Sequence, residues 1–176
     1  MTAASILNQL CVYFGGAYDD DSRSYRSPQV DGLGAVRRAF SKRVDHVDYV
    51  LDDIADSGAL MVVQLSHGDE RRVAFGGATS GVKRRHFLAD LHVFVRSTAA
   101  FAEDAHDFTI GLLDGIIERV HADRTCGSGG FENGGFQVGE GDAPTFEWDL
   151  APAETSAELT KLYLHIVTDV LEYVQA

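Results

Sequence analysis

Val82-Lys83-Arg84-Arg85-His86-Phe87-Leu88-Ala89-Asp90-Leu91-His92-Val93-Phe94-Val95-Arg96-Ser97 is the stretch on which the fold turns. Phe87, Ala89, Leu91, Val93 and Val95 occupy alternate positions, with Asp90, His92 and Arg96 between them. That is the period of a strand with one apolar face. Directly after it the period becomes helical over 99–120. Phe101, Ala105, Phe108, Leu112, Ile116 and Val120 mark the expected buried side, and Glu103, Asp107, Asp114 and Glu118 the wet side. Gly111 and Gly115 lie one turn apart in this helix. Each costs up to ~1 kcal/mol relative to alanine, so close packing is expected beside them. A glycine-rich run from Cys126 to Gly141 follows.

Upstream, residues 59–65 form a short apolar run with valines between Gly58 and Gly68, which predicts a buried strand. His67-Gly68-Asp69-Glu70 reads as a hairpin turn, 71–75 as the returning strand and 76–81 as a second turn. Val47, Val50, Leu51 and Ile54 place a helix over 42–56, with Asp45, Asp48, Asp52 and Asp56 on its other face. Residues 18–34 turn polar and read as a long, flexible surface loop. Thr2 caps a first helix bearing Ile6, Leu7, Leu10, Tyr13 and Phe14, and Gly15-Gly16 ends it. Downstream, Phe146, Trp148 and Leu150 alternate with polar residues as a half-buried strand. Leu162, Leu164 and Ile166, amid aromatic and β-branched neighbours, predict a long strand within 158–174. The expectation is one α+β domain over 1–176. Its largely antiparallel sheet carries helices on one face, with extended loops or hairpins at 66–86 and 124–144.

A chain of 176 residues with 45% hydrophobic content has enough material for an ordinary core. Its formal net charge of −12 argues against general nucleic-acid binding, which rests on neutralising phosphates, and against anionic membrane. No secretory leader or membrane-spanning run is read, so a soluble, intracellular protein is expected. Cys11 and Cys126 make neither a zinc pattern nor a disulfide framework and read as free thiols.

Catalytic equipment is not visible. The seven histidines are scattered, with no His-x-x-x-His and no Cys-x-x-Cys. His92 and His165 would meet only if their strands pair; otherwise they are ordinary strand histidines. Asp19-Asp20-Asp21 lacks the spacing of a calcium loop and reads as solvated acid. The glycine-rich run lacks the Gly-Lys-Ser/Thr ending of a phosphate loop. Phe131 and Phe136 flank Glu132-Asn133-Gly134-Gly135, where Asn-Gly favours a tight turn. Two aromatics on such a tip would make a docking anchor. Lys83, Arg84, Arg85 and His86, with Arg71 and Arg72, form the densest basic cluster and suit an inter-subunit or partner contact. No cofactor or metal is expected, and an assembly protein is favoured over an enzyme.

The order of these words resembles the tail terminator (tail completion) proteins of long-tailed, siphovirus-like phages. The likeness covers the chain from about Gly58 onward. It rests on Lys83-Arg84-Arg85 before the strand 92–97, on the acidic helix start 102–107, on the exit from Arg119 to Gly127, and on Gly139-Glu140-Gly141. None of these words is a catalytic signature. The resemblance implies a ring, usually hexameric, at the head-proximal end of the tail tube. It would stop tube polymerisation and present a docking surface to the head connector. It implies virion location in the tail or neck, host cytoplasm during assembly, and DNA passing an acidic lumen without specific binding. In such a ring Lys83, Arg84, Arg85 and His86 are expected to meet Glu103 and Asp107 of the next subunit. Phe131, Glu132, Asn133 and Phe136 are expected at the tube or another partner. The polar loop and the helix over 42–56 lengthen the N-terminal part beyond the family pattern. The alternatives are another head–tail connector or neck protein, or a small metal-dependent enzyme.

Overall fold

The computed structural model describes residues 2–39, 57–75, 81–139, 145–156 and 158–175. The helix expected over 42–56, most of the second turn over 76–81, and Glu140-Gly141 lie outside them.

Helix α1 is Ala3–Gly15. Thr2 caps it reciprocally: its hydroxyl accepts from the Ser5 amide at 3.2 Å, and Ser5 Oγ accepts from the Thr2 amide at 2.8 Å. Gly16, at φ 71°, ends the helix in a conformation that favours glycine. The expected polar loop is ordered as two short strands, β1 (Tyr18–Asp19) and β2 (Ser24–Tyr25), paired antiparallel. Asp19 closes the turn between them by accepting from the Asp21 and Ser22 amides, and Ser24 and Tyr25 are buried. The acids of this segment are therefore partly turn-formers. Composition reports polarity but not the local side-chain-to-backbone bonds that order such a turn.

β3 (Leu33–Arg37) runs parallel to β4 (Gly58–Phe75). β4 pairs antiparallel with β5 (Gly81–Ser97) along its whole length. The expected turn at 67–70 is thus absent, and β4 continues through it with a register shift between Leu65 and His67. Gly68 sits opposite Phe87, and a Cβ there would stand 3.0 Å from the Phe87 ring. Its glycine makes room for a cross-strand aromatic; it does not reverse the chain.

Helix α2 (Ala102–Ala122) follows β5. A short 3-10 turn at Phe131–Asn133 precedes β6 (Phe136–Val138), then β7 (Glu147–Leu150), β8 (Glu154–Thr155) and β9 (Thr160–Gln175). The sheet order is β1-β2-β3-β4-β5-β9-β6, and β7 and β8 also pair with β9. The fold is α+β with a mostly antiparallel sheet, and the strand reading of 158–174 holds.

α1 packs on β3 and β4, and α2 on β5 and β9. Rows such as Met61–Val93–Leu164 and Val63–Leu91–Ile166 cross three strands and are fully buried among Ile6, Leu10, Phe14, Leu112 and Ile116. Tyr13 and Arg119 lock the two helices together. The Tyr13 hydroxyl donates to the Arg119 carbonyl at 2.6 Å, and the Arg119 guanidinium donates to the Tyr13 carbonyl at 2.9 Å. Ala35, Leu60 and Val62 form a smaller cluster on the second face, with Phe94 against it.

Several expected core residues are not buried. Phe101 is the residue before the helix and is 68% exposed; Phe108 is 38% and Trp148 56% exposed. Thr109 and Leu113 are buried in the helix instead. Gly115 does lie against Val30, but a Cβ at Gly111 would touch nothing.

Candidate functional site

Two regions gather polar chemistry. The first lies on the second face of the sheet. His92 in β5 is directly opposite His165 in β9, and His165 is in turn opposite Asp149 in β7. Cross-strand partners share a face, and Asp90, two residues before His92, shares it too. The two imidazoles stack with centroids 4.8 Å apart and planes within 2°. His165 Nε2 is 2.7 Å from Asp90 Oδ1, and His92 Nδ1 is 2.6 Å from the Tyr163 hydroxyl. Asp90 is buried, and its Oδ2 has no hydrogen-bond partner among the described residues. Burial, and secondarily the neighbouring His165, hold His92 below the usual histidine range, with Asp90 opposing. Burial, with help from Asp90 and Asp149, pushes the Tyr163 hydroxyl up. The group can therefore offer two imidazoles and a carboxylate to one small ligand. Alternation placed His92 and Asp90 on one face in advance; the meeting with His165 depended on a pairing that sequence left open.

The second region is the outer half of the β4–β5 hairpin. Lys83, Arg84, Arg85 and His86 sit within β5, on the outer part of the hairpin expected over 66–86. Glu70, Arg85 and Glu172 form one row across β4, β5 and β9. Arg85 Nε is 2.7 Å from Glu70, its Nη1 is 3.7 Å from the buried Glu172, and Lys83 Nζ is 2.9 Å from Glu70. Hydrogen bonds from Lys83 and Arg85 hold Glu70 below the usual carboxylate range. His86 lies 3.9 Å from both Asp69 and the buried Asp169. Much of the basic cluster is thus balanced within its own chain. Arg84, opposite Arg71 and Tyr173, makes no ion pair among the described residues.

Glu103 and Asp107 are exposed on α2, and Glu103 borders a shallow cleft with Leu150 and Pro152. Glu132 and Asn133 are also exposed. Phe136 is fully buried in β6 and cannot be the exposed anchor that was expected; Phe131 packs edge-on against Tyr173 at 4.7 Å. The Asn133-Gly134 step closes a 3-10 turn with Gly134 left-handed; it is not a hairpin tip.

One constellation went unread in the sequence. Asp123 accepts from the Thr125 amide at 2.9 Å, the Thr125 hydroxyl at 2.6 Å and the Gly127 amide at 2.9 Å. The Asp-Arg-Thr-Cys-Gly word is therefore a side-chain-closed turn at the exit of α2. The Thr125 hydroxyl, then the two amides, hold the Asp123 carboxyl below its usual range. Cys126, inside this turn, and Cys11 are free and buried, and burial pushes both thiols up to about 12.

No helix among the described residues is long and apolar enough to cross a membrane. Compared with protein-family models and with curated proteins, the chain matches none of either.

Proposed function

We propose that this chain is a structural assembly protein acting through self-association. On the resemblance set out above, it is a tail terminator whose ring caps the head-proximal end of a phage tail tube. The ring halts tube growth and offers the head connector a docking surface. The observation that best supports self-association is the arm made by β4 and β5. From Ser66 to Val73 the β4 arm is largely exposed, and it runs on to Phe75. At ~3.4 Å per residue this is an arm of roughly 30 Å. β3 covers the outer edge of β4 only at Ala59 to Val62, and no other described strand pairs with that edge. Such an edge is a template for another chain unless it is guarded. Asp69, Glu70, Arg71 and Arg72 supply guards that also select a partner by charge. A head-to-tail ring buries unlike faces of each subunit, which fits a charged arm meeting the acidic α2 face at Glu103 and Asp107.

The test is solution mass by light scattering across concentration, for wild type and Arg84→Glu. A discrete ring-sized species that weakens in the variant is the expected result. A concentration-independent monomer, or an unchanged ring in Arg84→Glu, refutes the arm-to-helix contact. Capping of purified tubes then separates a terminator from a neck protein, which would bind the portal side instead. The small-enzyme alternative draws on Asp90, His92 and His165, and a monomer purifying with stoichiometric metal would favour it.

A further inference from the structure

We propose that Asp90, His92 and His165 form a binding site for a divalent transition metal, zinc above all. The proposal is independent of ring formation. One donor atom from each of the three residues lies within 4.8 Å of the others. Ligand atoms around tetrahedral zinc stand roughly 3.3 Å apart, given metal–ligand bonds of about 2.0–2.2 Å. The backbone already presents all three on one face of two paired strands, and a bound metal would draw the donor atoms inward by side-chain rotation.

The cluster also carries an unmet need for positive charge. Asp90 is 8% exposed, and its Oδ2 is buried without a hydrogen-bond partner among the described residues. A buried acceptor left unsatisfied costs free energy that a coordinated cation would recover. Tyr163, with its hydroxyl 2.6 Å from His92 Nδ1, fixes the orientation of that ring. Tyr163 is accordingly a positioning residue. Two imidazoles with one carboxylate suit zinc and its transition-metal neighbours; calcium and magnesium prefer all-oxygen cages. Three protein ligands leave a coordination position for water or for a group from outside the chain. Asp149, one strand away opposite His165, is the nearest further carboxylate by register.

The test is calorimetric titration of the tag-free, chelator-stripped full chain with zinc chloride alone. One zinc per chain is expected. His92→Gln, His165→Gln and Asp90→Asn should each weaken binding about 10-fold or more, since even outer-shell changes cost 10–100-fold. His67→Gln, remote from the cluster, should bind as wild type. Should a cluster variant fail to fold, imidazole nitrogen NMR of the wild type decides: zinc must shift the ring resonances of His92 and His165. No binding by wild type, binding unchanged in the folded variants, or zinc shifting only other histidines overturns the proposal.

Discussion

Asp123 holds the exit of α2 with three hydrogen bonds that leave the helix running into a buried cysteine. Replacing it with asparagine removes the charge from those bonds and should cost ~1 kcal/mol, the worth of a helix-end or charge-assisted bond. The pH sense follows from the lowered carboxyl. A carboxylate whose folded pKa lies below its unfolded value, ~3.9, stabilises fully above that unfolded value. The gain is lost as pH falls through the folded pKa. Urea midpoints of wild type and Asp123→Asn should therefore differ by a constant amount from neutral pH to about 5 and converge in stronger acid. A gap that widens on acidification would contradict this.

At the scale of elements, two helical glycines make opposite forecasts. Gly111 lies inside α2 with open space where a Cβ would go, so Gly111→Ala should stabilise by up to ~1 kcal/mol through helix propensity alone. Gly15 ends α1 against β2 and β3, where a Cβ would stand 2.4 Å from Tyr25 Cβ and 2.7 Å from Val36 Cβ. Gly15→Ala should destabilise by ~1–3 kcal/mol, the usual cost of overpacking. Thermal melts of the two variants check the contrast. The helices themselves were legible: Thr2 caps the first, and Ala105, Leu112, Ile116 and Val120 do form the buried side of the second. The turn read at 67–70 was not, because a glycine beside polar residues looks alike in a turn and in a strand making room for Phe87.

For the whole molecule, the asymmetry of the arm is the property to measure. β5 has a strand on each side over Val82 to Leu88, β4 within the arm and β9 beyond it, whereas among the described residues β4 there pairs with β5 alone. Hydrogen exchange in dilute solution should therefore run faster at 66–73 than at 82–88. Raising the concentration should slow 66–73 if that edge pairs in the assembly. Equal protection of both strands at every concentration would count against an available edge.

Alternation and helical spacing alone were enough to place α1, β5, α2 and β9, and the strand–helix switch at Ser97. Those periods carry the α+β class with helices over one sheet face. These are local properties: alternation and 3.6-residue spacing say which way a side chain points from its own backbone. What each side chain meets came from the packing of distant elements. Register between strands about 75 residues apart in the chain put His165 on Asp90 and His92. The same pairing set Glu172 against Arg85, which internalised much of a cluster that looked free, and β6 pairing with β9 carried Phe136 into the core. Two strands with the same apolar period can pair in many registers, and only closure of the common core selects one.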